Sequence, residues 1–234
     1  MNIIYADDNI IVVNKPPGVS AHGGETVTGE TVSDFLVTKF PEIATVGDDP
    51  ANRPGIVHRL DKNTSGIMVA AHNQVAFEAL KELFKTRKVE KTYWAIVCGA
   101  LAKPDGVITA PIGRLAANPL KRGVEQERSR IRGARDAVTE YRVIVRGATY
   151  SLVELKPKTG RMHQLRVHMK SIGHPVACDK LYGGKNVCCP ENCHRQLLHA
   201  RSLSFSFPEG RRWTFEAEVP EDFARAMQRI ELGR

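Results

Sequence analysis

Short strand-like runs dominate the sequence and limit the folds that the chain can adopt. Helical periodicity is confined to four stretches, and these rarely alternate with strands. This order favours an α+β fold with a mostly antiparallel or mixed central sheet over a doubly wound fold. The predicted strands are β-rich and bounded by turn residues: NIIY (2–5), IIVVN (10–14), GIMVAA (66–71), TYWAIVC (92–98), VTEYRVIV (138–145), SLVELK (151–156), SLSFSF (202–207) and RWTFEAEV (212–219).

The four helical stretches have recognisable ends. The first runs from Thr31 and is stopped by Pro41, and the second follows a cap at Asn73. A short helix is predicted from 163 to 171. The last begins with Pro220, followed by two acidic residues that favour a helix N-terminus. We expect these helices to flank the sheet within a single domain covering 1–234.

Basic residues outnumber acidic ones. The 34 Lys and Arg against 26 Asp and Glu give a formal charge of +8 and a pI of about 9.4. This excess suits a polyanionic partner such as nucleic acid, but it is also found in basic proteins without one. No run approaches the roughly 20 apolar residues of a membrane span, and the N-terminus does not resemble a signal peptide. We therefore expect a cytoplasmic protein without membrane contact.

The cysteine pattern favours reduced thiols. The five cysteines form an odd set in a chain of this size without a signal peptide, which argues against a disulfide framework. Cys188, Cys189, Cys193 and His194 cluster and could hold zinc, but their spacing matches none of the usual ligand patterns. The alternatives are a zinc site and a reduced loop, and we expect no metal.

A polar, arginine-rich segment runs from Leu120 to Asp136. The sequence predicts that this segment is structurally a mobile excursion or the end of a long hairpin. Functionally, it is either a solvated loop or an arm that contacts RNA. Its charged residues are Lys121, Arg122, Glu125, Glu127, Arg128, Arg130, Arg132 and Arg135.

Common cofactor and hydrolase motifs are absent from the sequence. There is no GxxxxGK[ST], no GxGxxG after a strand, no HExxH and no GxSxG. This weakens the case for NTPases, dinucleotide enzymes, zinc proteases and α/β-hydrolases, and we expect no nucleotide cofactor.

Three polar or aromatic segments remain as candidates for chemistry. HRLDKNTSG (58–66) leads from a Pro/Gly loop into an apolar strand and suits a presented carboxylate, although Asp61 and Thr64 could simply build a turn. In TGRMHQLRVH (159–168), Arg and His at a helix start suit phosphate binding, and Arg166 would share a helical face with Met162 and Lys170. Its two histidines are five residues apart, which predicts orienting or core residues. In KTYWAIV (91–97), Tyr93, Ala95 and Val97 point to one face of a strand, where core packing is the common role.

These segments resemble the RluA-type pseudouridine synthases. HRLDKNTSG is similar to the family signature HRLDxxTSG, and further similarities follow in the family's order over nearly the whole chain. They are IIYADDNIIVVNKPPGVSAH, KTYWAIVCG, TGRMHQLRVHMKSIGHPVACDKLYGG and RQLLHARSLSFSFP. The similarity is looser from about Pro104 to Ala137, where Gly133-Ala134-Arg135-Asp136 replaces the usual small basic turn.

The resemblance implies a pseudouridine synthase fold with an RNA-binding cleft, and it implies site residues. The family's catalytic aspartate, tyrosine and basic residue fall on Asp61, Tyr93 and Arg166. The arginine that enters the RNA stack when the uridine leaves falls on Arg59. We expect Arg166 to pair with Asp61, and the remaining RNA contacts to come from His58, Arg161 and His163.

The resemblance also implies the partner. We expect specific uridines in structured ribosomal or transfer RNA to be isomerised by a monomer that lacks an N-terminal S4 domain. A catalytically silent RNA-binding protein on the same scaffold and a zinc-dependent nucleic-acid protein are the competing hypotheses.

Overall fold

The computed structural model describes residues 1–24, 27–124, 131–185, 187–207 and 210–232. In chain order its elements are β1 (Asn2–Ala6), β2 (Ile10–Lys15), α1 (Val32–Lys39), a 3-10 helix (Pro41–Thr45), β3 (Ser65–Ala71), α2 (Gln74–Lys85), β4 (Glu90–Cys98), β5 (Asp105–Ile108), β6 (Ile112–Leu115), β7 (Asn118–Val124), β8 (Ile131–Arg135), β9 (Thr139–Arg146), β10 (Tyr150–Pro157), α3 (Gln164–Ser171), β11 (Leu198–Ser206), β12 (Arg212–Glu216) and α4 (Glu221–Leu232).

The chain divides into two compact units. The first unit comprises Met1–Lys91 and Ala200–Val219, and the second comprises Thr92–His199 and Pro220–Arg234. Both units combine antiparallel strand pairs with helices, so the predicted α+β class is confirmed. The expectation of a single catalytic domain stays a prediction.

The first unit is built on strands in the order β1, β2, β3, β11 and β12. β1 pairs antiparallel with β2, and β2 with β3. Every residue of β3 is buried, which explains why its sequence is a continuous apolar run rather than an alternating one. Thr31 and Asp34 form a reciprocal capping box at α1, and Asn73 caps α2 through the N–H of Ala76.

The second unit has strands in the order β4, β10, β9 and β5, with antiparallel pairing throughout. Its apolar core gathers Ala95 and Val97 of β4, Val153 and Leu155 of β10, and Val167 of α3. A second sheet of three strands has the order β7, β6, β8.

Of the two structures predicted for 120–136, a mobile excursion or the end of a long hairpin, the three-stranded sheet argues against the first. β7 and β8 both pair with β6, so residues 118–124 and 131–135 are not an irregular excursion. Glu125, Glu127, Arg128 and Arg130 lie outside the described residues. β5 and β6 were missed in the sequence because DGVI and IGRL are short and have little apolar alternation.

The expectation of reduced cysteines is wrong in this structure. Disulfides join Cys98 to Cys188 and Cys178 to Cys189, with Cα–Cα separations of 6.0 and 4.6 Å. The backbone brings these residues together, because Cys98 N–H donates to Pro175 O and Cys178 N–H donates to Cys188 O. Such long-range pairing leaves no local sequence signal. Cys193 is a buried free thiol.

In the part of the chain that the structure describes, no helix has the length and apolar character needed to cross a bilayer.

Candidate active site

Asp61 lies in a tight loop of the first unit, directly before the buried strand β3. The loop is closed by the N–H of Thr64, which donates to the carbonyl of Asp61 at 2.9 Å. Thr64 and Ser65 are buried, whereas Asp61 itself is partly exposed. The interpretation of HRLDKNTSG as a turn is therefore correct. This turn places the carboxylate of Asp61 next to the start of the buried strand β3.

Lys15 fixes this loop and was missed in the sequence. The side chain is completely buried at the end of β2, and its Nζ donates to the carbonyls of Pro16, Val19 and Lys62 at 2.8–3.0 Å. A buried ammonium is retained only where acceptors surround it, and here they join two loops. The signal in the sequence was a lysine that ends an apolar strand immediately before Pro-Pro-Gly.

His58 is held inside the first unit. Its Nε2 accepts the N–H of Val69 at 3.0 Å, and its ring stacks on Phe84 with centroids 4.5 Å apart. Burial, assisted by the positive charge of Lys91, lowers the pKa of His58 to about 3. A neutral ring tied to β3 orients the loop that follows it.

Arg59 has the opposite environment. Its side chain is exposed, and Nη1 donates to Nε2 of His22 at 3.2 Å. A long, exposed cation held by this long hydrogen bond can move at low cost. The adjacent residues His58 and Arg59 thus lie in different environments that their sequence positions did not distinguish.

Tyr93 belongs to the second unit, on β4. The predicted face of Tyr93, Ala95 and Val97 is confirmed, because Ala95 and Val97 are core residues and Tyr93 packs partly buried against the same core. Pairing with Leu155 of β10 fixes its position along the strand. The strand therefore presents an aromatic ring from a rigid frame.

Arg166 forms a buried ion pair with Asp179. Its Nε and Nη2 donate to the two carboxylate oxygens at 2.6 and 2.8 Å, and the side chains are 7% and 0% exposed. Such a two-point pairing fixes the plane of the guanidinium. Asp179 was missed in the sequence, because its role depends on a contact across 13 residues rather than on a motif.

Residues 161–164 form the entry to α3. His163 adopts a left-handed conformation with φ of 59°, and the buried side chain of Gln164 accepts the N–H of Arg161 and the hydroxyl of Thr159. Nε of Arg161 donates to the carbonyl of Asp136 at 3.1 Å. Met162 precedes α3, so the predicted helical face shared with Arg166 is wrong for Met162.

His168 is a core histidine. It is fully buried on α3, and its ring nitrogens lie 2.8 Å from Thr139 Oγ1 and 2.9 Å from the carbonyl of Ala110. This agrees with the sequence prediction of an orienting or core residue and identifies His168 as a core residue.

An arginine-lined cavity of about 630 Å³ lies in the second unit, against the three-stranded sheet. Its described lining contains no acidic residue, and its arginines are Arg114, Arg122, Arg132, Arg135 and Arg161. Guanidinium groups grouped in this way bind phosphate oxygens through paired N–H donors. Arg161, expected from the sequence to contact RNA, belongs to this group.

No set of three or more His, Cys, Asp or Glu side chains with metal-binding geometry occurs among the described residues. Cys188 and Cys189, two of the proposed zinc ligands, are each in a disulfide. The chemistry available to the described groups is that of a carboxylate, a phenol and guanidinium groups.

Comparison with known proteins gives one consistent result. Residues 9–171 match the family model described as RNA pseudouridylate synthase. An uncharacterized RNA pseudouridine synthase of Synechocystis is 37% identical over 231 residues, covering 97% of this chain and 68% of that protein. A ribosomal large subunit pseudouridine synthase D of Neisseria meningitidis is 38% identical, covering 100% and 62%.

A solved structure is similar as well. Human RNA Pseudouridylate Synthase Domain Containing 4 superposes with a TM-score of 0.78 at 28% identity, covering 98% of this chain and 93% of that one.

Proposed function

Because the chain belongs to the RNA pseudouridylate synthase family, whose members are isomerases acting on RNA, we propose that it converts specific uridines of structured RNA to pseudouridine, with Asp61 as the catalytic carboxylate. The observation that carries the proposal is the position of Asp61, partly exposed in a turn that β3 and the buried Lys15 hold rigid. A fixed, accessible carboxylate is what a nucleophile or general base requires.

The reaction makes few other demands. The bond from N1 of uracil to the ribose breaks, the base turns, and C5 of the same base forms a new bond to the ribose. No atoms are gained or lost overall and no electrons pass to a carrier. The proposal therefore requires neither a redox cofactor nor a nucleotide.

Tyr93 and Arg166 are proposed to complete the catalytic group. Tyr93 offers a flat ring for the uracil and a hydroxyl for proton handling. The expected pairing of Arg166 with Asp61 stays a prediction, and the observed ion pair with Asp179 fixes the guanidinium. Since a guanidinium carries five N–H donors, Asp179 orients the group while leaving it able to donate elsewhere.

Base flipping is proposed for Arg59. The target uridine is inaccessible inside an RNA stack and must leave it before reaction. The exposed guanidinium of Arg59, two residues before Asp61, is long and planar and suits the vacated space. His58 we now propose to be a positioning residue for this loop rather than an RNA contact, because it is neutral and bonded to β3.

The RNA backbone is proposed to bind at the arginine-lined cavity, and His163, which precedes α3, is proposed as a further RNA contact. Five guanidinium groups without an acidic neighbour in the described lining support a contact with several phosphates, whose strength should fall as salt rises. The names of relatives such as the Neisseria enzyme support large-subunit ribosomal RNA as the substrate, with transfer RNA as the alternative. We further propose that the protein acts as a cytoplasmic monomer.

The test is pseudouridine mapping across total RNA from cells with and without this chain, repeated with the purified protein on transcripts of ribosomal and transfer RNA. Sites that depend on the chain in cells and are formed by the purified protein are expected. Binding to these RNAs without formation of pseudouridine in either setting would favour the silent RNA-binding protein.

A further inference from the structure

We propose that Tyr182 is a positioning residue that holds the Arg166 guanidinium from one face and connects it to the arginine-lined sheet. The inference rests on the proposed function, since it assigns Arg166 to the reaction. It concerns four contacts that all lie in the second unit.

The first contact is between the ring of Tyr182 and the cation. The central carbon of the Arg166 guanidinium lies 5.0 Å from the ring centroid, within the range of a cation–π interaction. Tyr182 is only 4% exposed, so water screens the attraction weakly. Asp179 holds the edge of the guanidinium and Tyr182 holds its face, and together they fix both its plane and its tilt.

The second contact ties Tyr182 to Asp179 itself. Oδ1 of Asp179 accepts the backbone N–H of Leu181 at 3.0 Å and that of Tyr182 at 3.2 Å. The N–H of Gly183 donates to the carbonyl of Asp179 at 2.7 Å. The same carboxylate thus binds Arg166 and builds the turn that carries the ring beneath it. The two supports of Arg166 cannot move independently.

The remaining contacts are made by the Tyr182 hydroxyl. It accepts the backbone N–H of Arg122 at 3.0 Å, and it lies 2.7 Å from Nδ1 of His163, to which it donates when that nitrogen carries no proton. Arg122 lies on β7 and lines the arginine cavity. His163 is the residue that immediately precedes α3, the helix of Arg166.

A physical link between RNA binding and Arg166 follows from this arrangement. Phosphates bound among the arginines would fix β7, and β7 would fix the Tyr182 hydroxyl through the Arg122 N–H. The ring would then be held in place under Arg166. The ring should therefore matter for the chemical step, and the hydroxyl for the coupling of that step to RNA bound at the sheet.

The test separates ring from hydroxyl. Tyr182→Phe keeps the ring and removes the hydroxyl, Tyr182→Leu removes both, and Tyr150→Phe at the start of β10 is the matched control for loss of a hydroxyl in the same unit. The measurements are the RNA Kd and the single-turnover rate of pseudouridine formation at saturating enzyme. The NMR signal of the Arg166 Nε–H reports the position of the guanidinium without reference to activity.

The expected pattern has two parts. Tyr182→Phe should raise Kd by roughly threefold to tenfold, the effect of one lost hydrogen bond, with a saturated rate within about twofold of wild type. Tyr182→Leu should lower the saturated rate by roughly tenfold or more and shift or broaden the Arg166 Nε–H signal. If Tyr182→Phe retains the saturated rate and the Arg166 Nε–H signal that Tyr182→Leu loses, the ring of Tyr182 positions Arg166.

Three results would overturn the inference. The first is a saturated rate for Tyr182→Leu equal to that of the wild type, and the second is an unchanged Arg166 signal in Tyr182→Leu. The third is a Tyr182→Phe variant whose Kd and rate both equal those of Tyr150→Phe. If Tyr182→Leu does not fold, Tyr182→Phe decides alone, by its Kd and by retention of the Arg166 signal. A wild-type protein that forms no pseudouridine but retains the ring-dependent Arg166 signal would refute the proposed function and leave the positioning intact.

Discussion

Removing the negative charge of Asp179 should destabilise the second unit strongly. Asp179→Asn preserves the shape of the side chain and an oxygen for the N–H groups of Leu181 and Tyr182, but it removes the carboxylate charge that pairs with the buried guanidinium of Arg166. Loss of one partner of a buried pair costs about 3–5 kcal/mol. For a chain of this length that corresponds to a fall in Tm of roughly 6–20 °C.

The assay is urea unfolding followed by circular dichroism, with Glu140→Gln as the control. Glu140 pairs with Lys158 at 2.8 Å, about as closely as Asp179 pairs with Arg166, but both side chains are about half exposed. An exposed pair contributes at most about 1 kcal/mol. The two variants therefore break ion pairs of similar length that differ in burial.

A further variant separates the charge from the packing. Replacing both partners, as in Arg166→Met with Asp179→Leu, should recover part of the stability lost in Asp179→Asn, because neither charge of the pair remains buried. A free-energy loss for Asp179→Asn within about 1 kcal/mol of that for Glu140→Gln would refute the reasoning.

Three other perturbations have distinct expected outcomes. Arg59→Ala should slow modification of a folded stem-loop far more than that of a short unstructured RNA, because unstacking costs about a few kcal/mol only where the base is stacked. Equal slowing of both RNAs in single-turnover assays would instead indicate that Arg59 positions Asp61. The pKa of His58 falls from 6.5 to about 3 on folding, so as the pH drops the unfolded state binds a proton at His58 before the folded state does. The free energy of unfolding should therefore fall by about 1.4 kcal/mol per pH unit between about pH 6.5 and pH 3. His58→Gln should lose this part of the acid sensitivity in urea titrations at pH 7 and pH 5. Cys98→Ser should lower stability by about 2–4 kcal/mol and Cys193→Ser by much less, as measured with and without reductant; stoichiometric zinc and four reactive thiols in the wild type would contradict the disulfides.

The sequence predicted the regular part of the fold well. The run GIMVAA became the wholly buried β3, the helix predicted from Thr31 became α1, and the predicted cap Asn73 lies where α2 begins. These elements are specified locally, by apolar runs and by side chains that bond to the backbone three residues away. The strands β5 and β6 have no such apolar run or cap. β5 forms by pairing with β9, far along the chain, whereas β6 pairs with the adjacent β7 and with β8.

The site was predictable only in its motif residues. Asp61, Tyr93 and Arg166 stand in recognisable segments, and their roles stay predictions. The residues that support them were missed, because Lys15 and Asp179 act through contacts that only the folded chain creates. The disulfides were not predicted for the same reason, since Cys98 and Cys188 are 90 residues apart in the sequence.

The most direct test of the account is the formation of pseudouridine by Asp61→Asn. The substitution removes the charge from a partly exposed side chain while the backbone carbonyl that closes the turn with Thr64 remains, so the fold and most of the RNA affinity should persist. In a tritium-release assay on an RNA that the wild type modifies, Asp61→Asn should show no detectable turnover on folded and unstructured substrates alike. Turnover near the wild-type rate would contradict the assignment of Asp61 as the catalytic carboxylate.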